Sequence, residues 1–340
     1  MSVVVEYIWI DADGNTRSKA RTLLGRSGLV NVSDVPTWNF DGSSTNQAVG
    51  KDSETILIPV ALYKDPFRIN FPVHCYLVLC ECYDRYGNAL NSNTRQHAND
   101  IFNTDVVASS HLWYGIEQEY VLYDNKTKRI LGWPLESEPE SQGKYYCGVG
   151  ADRTFGREIV EEHYRLCLLA DLKMSGINEE VLPGQWEYQI GPCEGIDAGD
   201  QLWISRYILH RVCEKYNVTA SFAPKPVKGD WNGSGLHTNF STAEMRTEHG
   251  LDKIYEAIDK IEKNHKELIK YCGDNSERLT GTHETSKLDH FTWGVADRTA
   301  SVRIPSQVND VKSGYLEYRV PAADADPYQI TSMIAKIILL

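Results

Sequence analysis

The segment GIEQEY sets Glu117 and Glu119 on either side of one glutamine. It lies within HLWYGIEQEYVLYD, an aromatic and β-branched run that reads as a strand. Side chains alternate across a strand. Leu112, Tyr114, Ile116, Tyr120 and Leu122 therefore share one face, and Glu117 and Glu119 point together from the other. The same alternation recurs in four more segments. In GQWEYQI, Glu187 opposes Trp186, Tyr188 and Ile190; in GLHTNFS, His237, Asn239 and Ser241 oppose Leu236 and Phe240. In TASVRIP, Ser301 and Arg303 oppose Val302 and Ile304, and in GYLEYRV Glu317 and Arg319 lie together. One wet face is ordinary for a single antiparallel strand. Five that carry Glu, His, Asn and Arg and no lysine are better suited to a shared cavity than to a solvated surface.

Carboxylates with one imidazole suit magnesium or manganese, whereas zinc more often recruits cysteine or several histidines. Arginines beside such a site suit a substrate that carries carboxylate or phosphate. Together they are the equipment of phosphoryl transfer, in which charge neutralisation and positioning supply most of the catalysis. The chain has neither a GxxxxGK[ST] phosphate loop nor a kinase-type glycine loop, so a nucleotide would be held by another fold.

The elements that position these residues follow from composition and periodicity. The length of 340 residues suggests about two domains, and 41% hydrophobic with 24% charged residues is ordinary for a globular chain. Residues 1–103 read as a mostly β domain: a hairpin turning at DADGN, strands at TILIPVAL and VHCYLVLCECYD, and a turn at RYGN. Residues 104–340 read as a second domain, with helices near 153–174, 197–216 and 251–271. Asp197 is the expected cap of the second helix, and Asp326-Pro327 starts a last one. His163, His210, His249 and His265 lack partners at ligand spacing and read as surface or core residues. The net charge of −12 argues against nucleic acid as a partner. No apolar run approaches the roughly 20 residues that span a bilayer. With no signal-peptide pattern at the N-terminus, the eight cysteines read as free thiols and the location as cytoplasmic.

Seven stretches resemble the glutamine synthetase family, specifically its type II, eukaryotic-like class: WNFDGSSTNQA, YGIEQEY, YYCGVGAD, QWEYQIGPCEGIDAGDQLW, PKPVKGDWNGSGLHTNFST, RLTGTHET and ADRTASVRIP. The resemblance runs from about residue 5 to about residue 330. It implies an α+β fold: an N-terminal β-grasp domain and a catalytic domain whose antiparallel strands curl into a funnel. It implies stacked rings, a decamer, with active sites between subunits, and a reaction that joins ammonia to glutamate at the expense of ATP with two or more Mg2+ or Mn2+ ions. Glu119, Glu180 and Glu187 match ligands of one ion, and Glu117, His237 and Glu317 those of the other, with Glu187 near both. Arg298 and Arg303 match the arginines on the transferring phosphate; Arg278 and Arg319 match those at the glutamate carboxylate. Trp231, Asn232 and Gly233 fall in the glutamate stretch, and Trp133, Asn239, Ser241 and Tyr315 where the nucleotide is held. Asp41 and Ser44 match the ammonium site lent by a neighbouring subunit, and Glu284 the flap that shields the acyl phosphate.

The chain departs from the family pattern at Val320, Ser306 and Thr282, where arginine is common, and at Asp297, where asparagine is common. All four changes lower the positive charge expected around the phosphates. The N-terminal helical segment usual in the family is short or absent, and the chain ends inside the expected last helix. Two alternatives stand beside the leading reading: a related ligase acting on a larger amine, and an inactive protein that keeps the fold.

Overall fold

The computed structural model describes residues 1–29, 31–139 and 142–340. Near the N-terminus, β1 (Ser2–Ile10), β2 (Thr16–Leu24), β3 (Trp38–Asp41), β4 (Glu54–Lys64) and β5 (His74–Asp84) form a sheet in the order β2-β1-β5-β4-β3. The central pair β1–β5 is parallel and the others are antiparallel, the mixed pattern expected of a β-grasp. Both central strands are nearly continuous apolar runs because neighbours cover them on both sides. DADGN is a turn, as the sequence suggests. The Asp11 carboxylate accepts from the backbone N–H of Asp13 at 2.9 Å and of Asn15 at 2.8 Å, and from Arg17 Nε at 2.7 Å.

Two short helices follow, α1 (Thr94–Phe102) and α2 (Asp105–Ser109). The second sheet comprises β6 (Trp113–Asp124), β7 (Met174–Glu179), β8 (Gln185–Glu194), β9 (Val218–Ser221), β10 (Leu236–Ser241), β11 (Trp293–Val295), β12 (Val302–Ile304) and β13 (Leu316–Tyr318). Its order is β11-β12-β13-β10-β6-β8-β7, with β9 pairing the far end of β6. The apolar faces predicted for β6, β8, β10, β12 and β13 all enter one core with the helices. Of these helices, α3 spans Arg157–Leu169, α4 Asp197–Tyr216, α5 Gly250–Lys263, α6 His265–Leu268, α7 Ser306–Val311 and α8 Pro327–Leu339. Among the described residues no helix is long and apolar enough to cross a membrane. All eight cysteines are free.

Three helix boundaries differ from expectation. The first long helix is shorter than 153–174, because Gly156 at φ 88° precedes it and strand β7 has begun by Met174. Asp197 does not cap α4: Ile196 is the boundary residue, and Asp197 sits in the first turn, accepting from Gln201 Nε2 at 2.8 Å. The helix expected over 251–271 breaks at Asn264, whose side chain donates back to Lys260 O at 2.9 Å and competes with the helical bond pattern. The last start signal holds. The Asp326 carboxylate accepts from Tyr328 N at 2.9 Å, with Pro327 in the first turn.

A buried ion network fixes one sheet against the other. Arg95 of α1 donates to both Asp200 oxygens of α4, at 2.7 and 2.8 Å, and to Glu81 of β5 at 2.8 Å. Tyr328 of α8 donates to Asp200 at 2.6 Å. Removing the guanidinium leaves two carboxylates buried and uncompensated. Arg95→Met should therefore cost about 3–5 kcal/mol in urea unfolding. A loss under about 1 kcal/mol, the scale of a surface pair, would show that the network does not set the packing of the two sheets.

Candidate active site

Cross-strand register brings the polar residues into rows. His237 of β10 stands opposite Glu117 of β6, and Glu119 opposite Glu187 of β8. Glu317 of β13 stands between Asn239 of β10 and Arg303 of β12. Glu117, Glu119, Glu187 and His237, with Glu180 just past β7, face one cavity of about 760 Å³. Arg278, Arg298, Arg303, Arg319, Asn232, Gly233 and Glu284 also line it. Glu317 is fully buried just behind the wall, held by Arg303 and by Arg319 Nη1 at 2.7 Å.

His237 links the carboxylates. Its Nδ1 lies 3.4 Å from Glu117 and 3.7 Å from Glu317, and its Nε2 lies 4.0 Å from Glu119. Donor atoms of Glu117, His237 and Glu317 fall within 4.8 Å of one another, as do those of Glu119, Glu187 and His237. Glu180 lines the same cavity but lies outside either group of three. Burial, and then the charge of neighbouring glutamates, pushes the Glu180 carboxyl up to about 9 and raises Glu187 as well. Burial raises Glu119 to about 7 even against the pull of Arg278. Burial pushes His237 down, with Arg319 adding to the effect. Oxygen donors that resist ionisation together, around a neutral imidazole, fit a hard divalent cation.

The arginines are anchored differently. Arg278 donates to Asn275 Oδ1 and Val320 O, each at 3.0 Å, and to Arg319 O at 3.2 Å. Gly233 makes room for this side chain: a Cβ there would lie 2.6 Å from Pro224 O and 2.8 Å from Arg278 Cγ. Arg298 stands exposed at the cavity mouth and makes no ion pair with a carboxylate among the described residues. Val320, at a position where arginine is common in the family, is core. Asp297 turns its carboxylate to Thr299 N at 2.8 Å rather than to the cavity.

The loop around Glu284 closes one side. His283 and Glu284 both adopt left-handed backbone, at φ 53° and 59°, a costly arrangement for consecutive non-glycine residues. His283 Nε2 meets Asp230 at 3.0 Å, and Arg319 Nη2 donates to Glu284 O at 3.4 Å.

A second, more apolar cavity of about 410 Å³ shares Glu117 and Gln189 with the first. Asn239, Ser241 and Tyr315 line it, as do Trp113 and Arg246, which sequence reading missed. The Arg246 guanidinium lies 4.0 Å from the Trp113 ring centroid, and its Nη1 donates to Ser241 Oγ at 2.9 Å. Trp133 lies apart from Asn239, Ser241 and Tyr315 and packs on Trp231, ring centroids 5.2 Å apart, beside an apolar cluster of Val121, Ile130 and Leu182. Trp231 belongs to that cluster too, so of the WNG stretch only Asn232 and Gly233 reach the large cavity. Asp41 and Ser44 lie outside both cavities. Asp41 is exposed, and bonds from the Ser43 hydroxyl and N–H, with further help from Ser53 and Ser44, hold its carboxyl down at about 2.

A family model described as the glutamine synthetase catalytic domain matches residues 92–265. Curated relatives match almost the whole chain. A rice protein named glutamine synthetase cytosolic isozyme 1-1 is 51% identical, covering 99% of this chain and 94% of its own. Glutamine synthetase PR-1 of Phaseolus vulgaris is 51% identical with the same coverage. The glutamine synthetase of Eremothecium gossypii is 51% identical, with 99% and 89% covered. The chain belongs to the glutamine synthetase family. Its activity is the ATP-dependent synthesis of glutamine from glutamate and ammonia, and the family generally uses a divalent metal.

The raised carboxylates give a pH signature. Folded values of about 7 for Glu119 and about 9 for Glu180, against 4.5 for an ordinary glutamate, mean that the metal-free fold binds more protons than the unfolded chain. That contribution to stability is complete below about 4.5 and is lost as pH rises through about 7 to 9. Cations compete with those protons. The melting temperature of chelator-treated protein should fall from pH 6 to pH 9, and the rise on adding Mn2+ should be larger at the alkaline end. A Mn2+ effect that is absent, or larger at pH 6, would contradict the cation-cage reading.

Proposed function

We infer that the large cavity is a two-cation ligase site in which glutamate is phosphorylated by ATP and then aminated. The observation that carries this reading is the convergence of four glutamates, one histidine and four arginines on one cavity, with Glu317 just behind its wall. Glu117, His237 and Glu317 would hold one Mg2+ or Mn2+, and Glu119 and Glu187, with Glu180 beside them, the other. Such ions, when bound, screen the charge of the phosphates and polarise the γ-phosphoryl group.

The protein's own groups do the rest. Trp113, Tyr315, Asn239 and Ser241 would receive the nucleotide in the apolar cavity, and the wall shared through Glu117 and Gln189 leads its phosphates towards the carboxylates. Asn232, Gly233, Arg278 and Arg319 would hold glutamate. A γ-carboxylate oxygen attacks the γ-phosphorus, the bridging oxygen leaves with ADP, and γ-glutamyl phosphate forms. Arg298 and Arg303 balance the charge that spreads over the phosphoryl oxygens. Ammonium loses a proton, its nitrogen attacks the γ-carbonyl carbon, and phosphate departs. Asp41 and Ser44, exposed and outside their own chain's cavity, are suited to serve a neighbouring subunit as the ammonium site, as stacked rings such as a decamer would allow. A division into a β-grasp domain over 1–103 and a catalytic domain over 104–340 agrees with the two sheets, although α1 packs against α8 of the second. The relatives named as cytosolic isozymes support a cytoplasmic enzyme.

Glu284 would close the strained loop over the acyl phosphate and exclude water. Wild-type protein should consume one ATP per glutamine, with ATP turnover requiring glutamate. In Glu284→Ala, ADP release should continue with glutamate while glutamine per ADP falls severalfold, as water takes the intermediate. Tight coupling in Glu284→Ala would remove the flap role. An absence of glutamate-dependent ATP turnover in the wild type would overturn the ligase reading itself.

A further inference from the structure

Four of the cavity's glutamates each accept a hydrogen bond from a neutral carboxamide. Asn239 Nδ2 donates to Glu117 at 2.9 Å, Gln185 Nε2 to Glu119 at 3.4 Å, Asn178 Nδ2 to Glu180 at 2.8 Å, and Gln189 Nε2 to Glu187. The last two are joined, because Gln189 Nε2 also donates to Asn178 Oδ1 at 2.9 Å. The result is an unbroken chain Glu180–Asn178–Gln189–Glu187 across strands β7 and β8. Its geometry depends on a register shift between Met174 and Gly176, which pairs Gly176 with Gln189 and Asn178 with Glu187. Gly176 leaves room for the relay: a Cβ there would lie 2.4 Å from Gln189 Oε1 and would push the amide end of that side chain aside.

The chemistry of the donor matters. An ionised carboxylate has about four lone-pair positions. A lysine placed there would orient it but would also satisfy its charge and compete with a cation. An amide N–H occupies one position, fixes the carboxylate plane and leaves its charge available. Neutral partners of this kind commonly tune metal affinity from just outside the ligand set.

We propose that Asn178 and Gln189 are positioning residues, a carboxamide relay that holds Glu180 and Glu187 in place for a divalent cation before the cation arrives. The proposal rests on the cation reading above and adds two residues that bind no substrate atom in it. The relay predicts that its members act as one unit.

The test is Mn2+ binding to the otherwise ligand-free enzyme, measured from the EPR signal of free Mn2+, beside the melting temperature of each metal-free variant. Gln189→Met and Asn178→Leu keep all the glutamates and remove the donors. Each should weaken the tighter or the weaker of two Mn2+ sites about 10- to 100-fold, with little change in metal-free melting temperature. The double variant should lose hardly more than the worse single one, because either change breaks the same chain. Gly176→Ala keeps every donor and displaces only the far end of Gln189; it should weaken Mn2+ in the same way and carries the test if the other variants fail to fold. Wild-type Mn2+ affinity in Gln189→Met or Gly176→Ala would overturn the relay. So would losses that simply add in the double variant, or that track a falling metal-free melting temperature. Wild-type protein that binds no Mn2+ would instead fail the cation reading, and the relay with it.

Discussion

Burying several carboxylates side by side is the constraint on which the rest of this structure depends. Desolvation and mutual repulsion both oppose their ionisation, and the protein provides no lysine among them to offset either effect. Glu317 is the exception, neutralised from behind by Arg303 and Arg319. The others are offset only in part, Arg278 pulling on Glu119 without overcoming its burial, and Glu180 and Glu187 remain raised by burial and by neighbouring glutamates. The cavity is therefore organised around carboxylates that a divalent cation would let ionise together.

Holding that arrangement falls to the opposite face of the sheet. Tyr114, Ile116, Tyr120, Trp186, Tyr188 and Phe240 are fully or almost fully buried there against α4 and α8. On β6 a polar residue interrupts this face. Gln118 sits between Glu117 and Glu119 and points the other way, where its Oε1 accepts from the buried Arg206 Nε at 2.8 Å. Arg206 in turn donates to Ala323 O at 2.9 Å and Ala325 O at 3.0 Å, so the strand bearing the two glutamates is tied to the segment leading into α8. A side chain between the two glutamates thus anchors their strand from beneath, and this buried polar contact specifies position as much as it stabilises.

Much of the site was legible because strand alternation is a strict rule. Once HLWYGIEQEYVLYD reads as a strand, Glu117 and Glu119 must share a face, and the same holds for Glu187, His237 and Glu317. What alternation does not encode is which strands are neighbours, so the pairing of Glu119 with Glu187 and of Arg303 with Glu317 emerges only from the sheet order. Gln189 lies two residues from Glu187 on the same face and was within reach of the same rule; as a neutral amide it carried no signal of chemistry. Trp113 and Arg246 meet only in three dimensions. Helix limits were less legible, since Asn264 and Gly156 act through single local bonds and angles that a periodicity window averages away. Trp133 shows what a motif match leaves open: an aromatic residue serves an apolar cluster as readily as a nucleotide, and within this chain it packs, tilted, on Trp231. Asp41 raises the opposite issue: the role proposed for it at a neighbouring subunit's site is one that the geometry of its own chain does not locate.

The most direct test of the central claim is diffraction at the manganese absorption edge from crystals of the wild-type protein grown with Mn2+. The account predicts two anomalous peaks in the large cavity, one bonded to Glu117, His237 and Glu317 and the other to Glu119 and Glu187. Ordered protein with no anomalous peak within bonding distance of Glu187 would contradict it.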